Sequence, residues 1–167
     1  NSQMILIPKA LNNIQGISVM LNNLLEWAKA QMNGIVVEPR ELEINSVLEN
    51  TIKVLTPLAS KKDIKIVNEV PDTKCFSDQN HLTIILRNLI SNAIKFTHVN
   101  GTINISATRK DDFLEVAVSD NGIGMSTKKV EQLFKNAHVD STFGTNNEKG
   151  TGLGLFFCKE MAESNGG

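Results

Sequence analysis

Two hydrophobic periods run through this chain, and the strongest helical one lies in its middle. Over residues 81–97 (HLTIILRNLISNAIKFT), Leu82, Ile85, Leu86, Leu89, Ile90, Ala93 and Ile94 collect in one broad apolar arc at about 100° per residue, which is how a helix packs on a core. The polar remainder is ordered too. Asn88, Asn92 and Lys95 stand at i, i+4 and i+7, within a wedge of roughly 60°. Taken alone, such a trio is most simply a solvated face. Two carboxamides and an ammonium in a row can also serve a metal-bound phosphate group.

The same period predicts a helix over residues 8–32. Ile14, Ile17, Leu21, Leu24 and Ala28 follow a 3-4-3-4 spacing, and Met20, Leu25 and Trp27 widen the apolar stripe, so this helix needs partners in a bundle. Asn33-Gly34 ends it, and a connector with Pro39 leads into a second unit. There ELEI reads as a short strand. An amphipathic helix follows from about Asn45, with Asn45 or Ser46 as its cap and Val47, Leu48, Ile52 and Leu55 buried.

Period two takes over in IKIVNEV (64–70) and, after Asn100-Gly101, in TINISATR and FLEVAVSD around Lys110-Asp111-Asp112. That last pair is the clearest hairpin in the chain. TKCFSD leads into the central helix, with Ser77 or Asp78 as its cap. A short helix is expected at about 127–134, a polar stretch over 135–149, and a closing helix over 152–164. Mixed helices and strands with a hairpin predict an α+β fold: a two-layer α/β sandwich, a mixed sheet covered by helices on one face.

Composition narrows the function. At 167 residues, 41% hydrophobic and 21% charged, the chain suits one globular domain with an attached element. A net charge of −1 gives no electrostatic footing for nucleic acid. No apolar run approaches the ~20 residues of a membrane span. Cys75 and Cys158 are too few for a disulfide framework and read as reduced, buried thiols. The opening NSQM, without a start Met, suggests a piece of a longer protein.

Two glycine clusters then change the reading of the polar face. Asp120-Asn121-Gly122-Ile123-Gly124-Met125 follows the second hairpin strand; a strand-end Asp can present a carboxylate to a pocket, and the glycines allow close approach or positive φ. Gly150-Thr151-Gly152-Leu153-Gly154-Leu155 opens the last helix, where free N–H groups form an anion site. Each cluster alone is weak. No strand precedes the second and no βαβ unit encloses it, so it is not a dinucleotide fingerprint. What is specific is the order: the Asn-x-x-x-Asn-x-x-Lys helix, then DNGIGM, then GTGLGL.

In that order the chain resembles the ATP-binding catalytic domain of sensor histidine kinases, in the superfamily shared with gyrase, MutL and the chaperone ATPases. NLISNAIKFT (88–97) resembles its N box, DNGIGM (120–125) its first glycine box, Leu133-Phe134 the start of its F box, and GTGLGL (150–155) its second glycine box. The likeness spans roughly residues 40–167. Residues 8–33, with LLEWAKAQ, are similar to the second helix of the dimerisation bundle in hybrid two-component sensors. The implied division is 1–33 partial bundle helix, 34–41 linker and 42–167 ATP-binding domain. Relative to the family, the first bundle helix with its phospho-accepting histidine is missing, as are two strands after the last helix. The sheet is therefore expected to lack strands along one edge. None of His81, His98 and His138 sits in an acceptor context, and each is expected at the surface.

The resemblance implies a cofactor set of ATP and Mg2+. Asp120 would accept the adenine amino hydrogen. Gly122, Gly124, Gly150, Thr151, Gly152, Leu153 and Gly154 would line the nucleotide, Asn92 would ligate Mg2+, and Asn88 and Lys95 would act at the phosphates. Where water-activating ATPases of the superfamily hold a Glu, Asn88 cannot take a proton. Residues 135–149 would form the ATP lid. The implied activity is transfer of the γ-phosphoryl group to a histidine on the dimerisation helix of a homodimeric parent, and onward to a response regulator receiver domain. Nucleic acid is not an implied partner. The parent would be an inner-membrane sensor and this its cytoplasmic portion. The rivals are an ATP-hydrolysing relative of the gyrase or chaperone type, which steady turnover without phosphoprotein would reveal, and a catalytically silent nucleotide-binding or dimerisation module, which an ATP titration would reveal.

Overall fold

The computed structural model describes residues 37–133, 143–146, 148 and 152–167. The chain divides into two compact units, Asn1–Val36 and Val37–Gly167. The described residues all belong to the second, so the expected bundle helix over 8–32 lies outside them. In chain order the elements are β1 (Arg40–Glu43), α1 (Ile44–Ser60), β2 (Lys65–Asn68), β3 (Lys74–Ser77), α2 (Gln79–Phe96), β4 (Thr102–Lys110), β5 (Phe113–Asp120), α3 (Thr127–Gln132) and α4 (Gly154–Ser164).

The hairpin sets the sheet. β4 and β5 pair antiparallel from Ile103 opposite Asp120 to Lys110 opposite Phe113, and β2 joins β4 in parallel, Lys65 opposite Thr102. Ile103 and Ile105 of β4 are buried, and Leu114, Val116 and Val118 of β5 pack against the same core, while Phe113, Glu115 and Ala117 face out. One covered face and one open face make the alternation. Helix α2 lies over this hairpin with α1 and α4 packed on its flanks. Its buried stripe is Leu86, Ile90, Ala93 and Ile94, and α1 meets it with Ile44, Val47, Leu48, Leu55 and Ala59. The fold is thus the expected α+β sandwich of a mixed sheet under helices.

Three local expectations differ. Asn45 does not cap α1: the helix starts at Ile44 behind Glu43 with no side-chain cap. Instead Asn45 Nδ2 donates to Val70 O (3.0 Å) and Asp72 Oδ1 (2.8 Å), fastening the β2–β3 connection. The TKCFSD stretch contains a strand, β3, which pairs antiparallel with β1, Leu42 opposite Cys75. Four residues with only Cys75 and Phe76 apolar carry too little alternation to announce it. Among the described residues the strands therefore form two sheets, β1-β3 and β2-β4-β5.

The start of α2 is held by carboxylate and amide together. Asp78 Oδ1 accepts the N–H groups of Asn80 (2.8 Å) and His81 (3.1 Å), and its Oδ2 accepts Glu38 N–H (3.0 Å). Asn165, just beyond α4, accepts Asp78 N–H (2.8 Å) and donates to Met161 O (2.7 Å), so the end of α4 is tied to the start of α2. Burial alone would push the Asp78 carboxyl up, but the three N–H donors and nearby His81 hold it below its ordinary value of 3.8. A carboxyl held low stabilises the fold above that ordinary value, and the contribution is lost as pH falls from there through the lowered folded-state value. Asp78→Ala is therefore expected to lower unfolding free energy by about 1–2 kcal/mol at pH 7. In urea titrations the deficit should shrink below pH 3.8; a deficit that persists in acid would mean that packing, not charge, is lost.

Candidate active site

The last carbonyls of any helix lack intrahelical donors. In α2 only Ala93 O is met conventionally, by Thr97 N–H at 3.0 Å. Phe96 O instead accepts Ile123 N–H (3.1 Å), which fastens the first glycine cluster to the end of α2. Gly122 lies so close that a Cβ there would collide with the Phe96 carbonyl. Gly124 has open space around it but adopts φ +63°, which glycine takes without strain. Asp120, exposed at the end of β5, receives Gly122 N–H on Oδ1 at 2.9 Å. Asn121 Oδ1 receives Thr102 N–H at 2.9 Å, which stitches the turn back to β4.

The remaining carbonyls are met by a residue that no sequence pattern singles out. Lys62, 3% exposed at the end of α1, directs Nζ to Ile94 O (2.9 Å), Lys95 O (3.0 Å) and Thr97 O (3.3 Å). It also reaches Thr145 Oγ1 (2.7 Å) and Glu148 Oε1 (2.8 Å). Thr145 N–H donates to Lys95 O (3.1 Å) and its hydroxyl to Thr97 O (2.8 Å). Gly144 packs on Lys95, where a Cβ would press into the Lys95 side chain. An unremarkable Lys-Lys-Asp before a strand carries no pattern that would mark Lys62, and Thr145 and Glu148 sit in a polar stretch with no period.

The second glycine cluster meets α2 one face further along. Gly152 takes φ +74° and α4 begins at Gly154 with no side-chain cap. Gly154 faces Asn88: a Cβ there would stand 3.2 Å from Asn88 Oδ1. Asn88 Nδ2 is buried and meets no oxygen or nitrogen acceptor; its polar neighbour is the Cys158 thiol. Behind it, Cys158 is buried with Sγ 3.9 Å from Ile85 O. Burial pushes the Cys158 thiol up to about 11, although the Asn88 amide beside it pulls the other way. Half-buried Lys95 has its ammonium 4.7 Å from the centre of the Phe96 ring. Burial pulls its pKa down, Glu148 opposes that, and Lys129 adds to it.

Of the expected site residues, then, Asn88 meets Gly154, Lys95 meets the 144–148 turn, and Asp120 meets Gly122. Asn92 is half-buried, one turn on from Asn88. Gly150 and Thr151 lie outside the described residues, as do Phe134 and His138. Most of the expected lid lies outside them too, and its described part, 143–146 and 148, is fastened to α2. His81 is half-buried with Nδ1 2.9 Å from Asn165 Nδ2, so that nitrogen is an acceptor, while His98 is exposed. Among the described residues no cluster of three or more His, Cys, Asp or Glu forms a metal cage, and no helix is long and apolar enough to cross a membrane.

Comparison with known proteins bears on this arrangement directly. Residues 77–167 match the family described as histidine kinase-, DNA gyrase B-, and HSP90-like ATPase. The chain is 33% identical to the sensor protein GacS of Pseudomonas syringae pv. syringae over 96% of its own length, and spans 18% of that relative. The catalytic domain of histidine kinase ThkA superimposes with a TM-score of 0.65 at 26% identity, covering 77% of this chain and 82% of that one. The Acinetobacter baumannii histidine kinase AdeS shares the fold at 18% identity, with a TM-score of 0.75 over 96% of this chain and 73% of its own.

The two glycines of DNGIGM are expected to fail differently. Gly122→Ala forces a Cβ into a backbone carbonyl, and overpacking of that kind costs about 1–3 kcal/mol. Gly124→Ala meets nothing but its φ, a cost of roughly 1 kcal/mol. Denaturant titration compares the two, and amide exchange at Ile123 reports the contact. Gly122→Ala should expose that amide, Gly124→Ala should not; equal protection in both would mean that Phe96 O does not hold the turn.

Proposed function

The chain belongs to the histidine kinase-, DNA gyrase B-, and HSP90-like ATPase family, and from that premise we propose that it binds ATP and hands the γ-phosphoryl group to a histidine outside itself. The observation that carries the reading is the place of Asn88: its carboxamide, on the polar face of α2, stands against the glycine-opened start of α4, with Oδ1 3.2 Å from where a Gly154 Cβ would lie. Glycine at 154 leaves that corner free of a side chain, so a phosphate can approach the backbone. The first turn of α4 has no side-chain cap, so its N–H groups offer donors to an anion there.

At the other end of the site, Gly122 N–H fixes the Asp120 carboxylate through Oδ1, which leaves Oδ2 to accept the adenine amino hydrogen. Guanine offers a carbonyl there, so two acceptors would face each other unpaired. Lys95 supplies charge to the phosphates from a half-buried position where it is worth more than in water. Asn92 would ligate a Mg2+ ion, which when bound neutralises phosphate charge and needs few protein ligands. Transfer then rests on positioning and charge neutralisation.

Asn88 favours transfer over hydrolysis, because an amide cannot accept a proton from water. The acceptor has to arrive from elsewhere, because His81 is held by Asn165 on α2 itself. It precedes Asn88 by two turns, about 10 Å along the axis, whereas reacting atoms must come within about 3–3.5 Å. The parent's dimerisation helix supplies that histidine, in a homodimeric, membrane-embedded sensor of which this chain is a cytoplasmic part. A response regulator receives the phosphoryl group from the histidine, not from this site.

Calorimetry should find ATP affinity lowered roughly 10- to 150-fold in Asp120→Asn, about 1.5–3 kcal/mol for one lost charge-assisted hydrogen bond. Incubated with labelled ATP and a separate bundle carrying the parent's histidine helix, the chain should pass acid-labile label to the bundle. Unchanged affinity in the variant would remove Asp120 from the adenine site. Label that stays on the chain alone, or steady phosphate release in its place, would overturn the transfer reading.

A further inference from the structure

Lys62 is a buried ammonium that the proposed chemistry does not use. It sits at the negative end of α2, where a cation is favoured, and has five oxygen acceptors within 3.3 Å: three carbonyls of residues 94–97, the Thr145 hydroxyl and the Glu148 carboxylate. An ammonium has three N–H donors, so five acceptors more than satisfy it. The carbonyls alone would suffice to cap a helix. Thr145 and Glu148 therefore do something else there: they attach a distant stretch of chain to the same point.

That stretch is closed on itself. Glu148 accepts Asn146 N–H on Oε2 (2.8 Å) and its carbonyl accepts Gly144 N–H (2.9 Å). Burial would raise the Glu148 carboxyl, but the Lys62 hydrogen bond, backbone N–H donors and the Lys62 charge hold it below its ordinary value. Thr145 and Gly144 lie on Lys95 itself, through Lys95 O and the Lys95 side chain. Glu148 precedes Gly152 by four residues, a reach of at most about 14 Å.

We propose that Lys62 is a positioning residue for the phosphate end of the site: by clamping Thr145 and Glu148 to the last turn of α2, it fixes Lys95 and the start of α4 relative to each other. The inference rests on the ATP reading above. It makes Lys62 act through Lys95 and the α4 terminus, whereas on the adenine side Phe96 O holds Ile123 N–H and Gly122 N–H holds Asp120.

That separation gives the test. Lys62→Met, Glu148→Gln and Thr145→Val are compared with wild type for binding of MgATP and of adenosine, with amide exchange at Thr145 followed without nucleotide. Lys62→Met should weaken ATP about tenfold, ~1.4 kcal/mol of coupling, and leave adenosine unchanged; Glu148→Gln should weaken ATP less. Lys62→Met combined with Glu148→Gln should be no worse than Lys62→Met alone, since both break one clamp. Each variant should speed exchange at Thr145. A role in stability alone would move ATP and adenosine together. Should Lys62→Met fail to fold, Glu148→Gln and Thr145→Val carry the comparison, because Glu148 is 34% exposed and Thr145→Val keeps the shape. Wild type that binds ATP while those two bind it equally well would overturn the clamp and leave the ATP reading standing. Wild type that binds no ATP would overturn both.

Discussion

The structure depends on how one helix ends. The C-terminal carbonyls of α2 are the acceptors for Ile123 N–H, Thr145 N–H, the Thr145 hydroxyl and the Lys62 ammonium. A helix terminus normally leaves such groups to water or to a local cap. Here they collect segments from four regions of the chain: the end of α1, the end of β5, the 144–148 turn and α2 itself. Without those bonds the two glycine-bearing loops would have no common reference, and the side chains at 88, 92 and 95 would face nothing in particular.

The other terminus is treated with equal strictness and opposite charge. Asp78, a carboxylate, sits at the start of α2 and Lys62, an ammonium, at its end. Each charge complements the end of the helix dipole that it meets, and both groups are buried. Asn165 adds a link from α4 to the same N-terminus. Fixed at both ends and packed on α1, α4 and the β4–β5 hairpin, α2 behaves as a rigid rule. Its polar positions 88 to 95 are spaced about 10 Å apart along the axis, and catalysis by positioning needs such a rule more than it needs reactive side chains.

How much of this the sequence disclosed follows from the range of each interaction. The apolar arc of α2, the alternation of β4 and β5 and the glycine clusters are local, and each was readable from spacing. Asp78 could be read as a cap because caps act within three residues. Lys62 could not, since its partners stand 32 to 86 positions away. Asn45 misled for the same reason: its residue type and place before an apolar run suit a cap, yet Val70 and Asp72 on a separate strand connection won its amide. Strand β3 escaped because four residues hold too few alternations to declare a period, and only pairing with β1 makes it a strand.

The floor beneath the proposed phosphates is notable for its lack of reactive groups. Asn88 is neutral, Gly154 brings no side chain, and Cys158, lifted to about 11 by burial, keeps its proton at any physiological pH. A thiolate there would add a negative charge beside an anionic ligand and compete as a nucleophile. A carboxylate in place of Asn88 would add a base able to activate water. With neither, the groups α2 brings to a nucleotide can hold it and draw charge from its phosphates, but none can start the displacement. On the proposed reading that restraint is functional: the ATP waits until another helix delivers the nucleophile, and the energy of the γ-phosphoryl bond is kept for the signal instead of being lost to solvent.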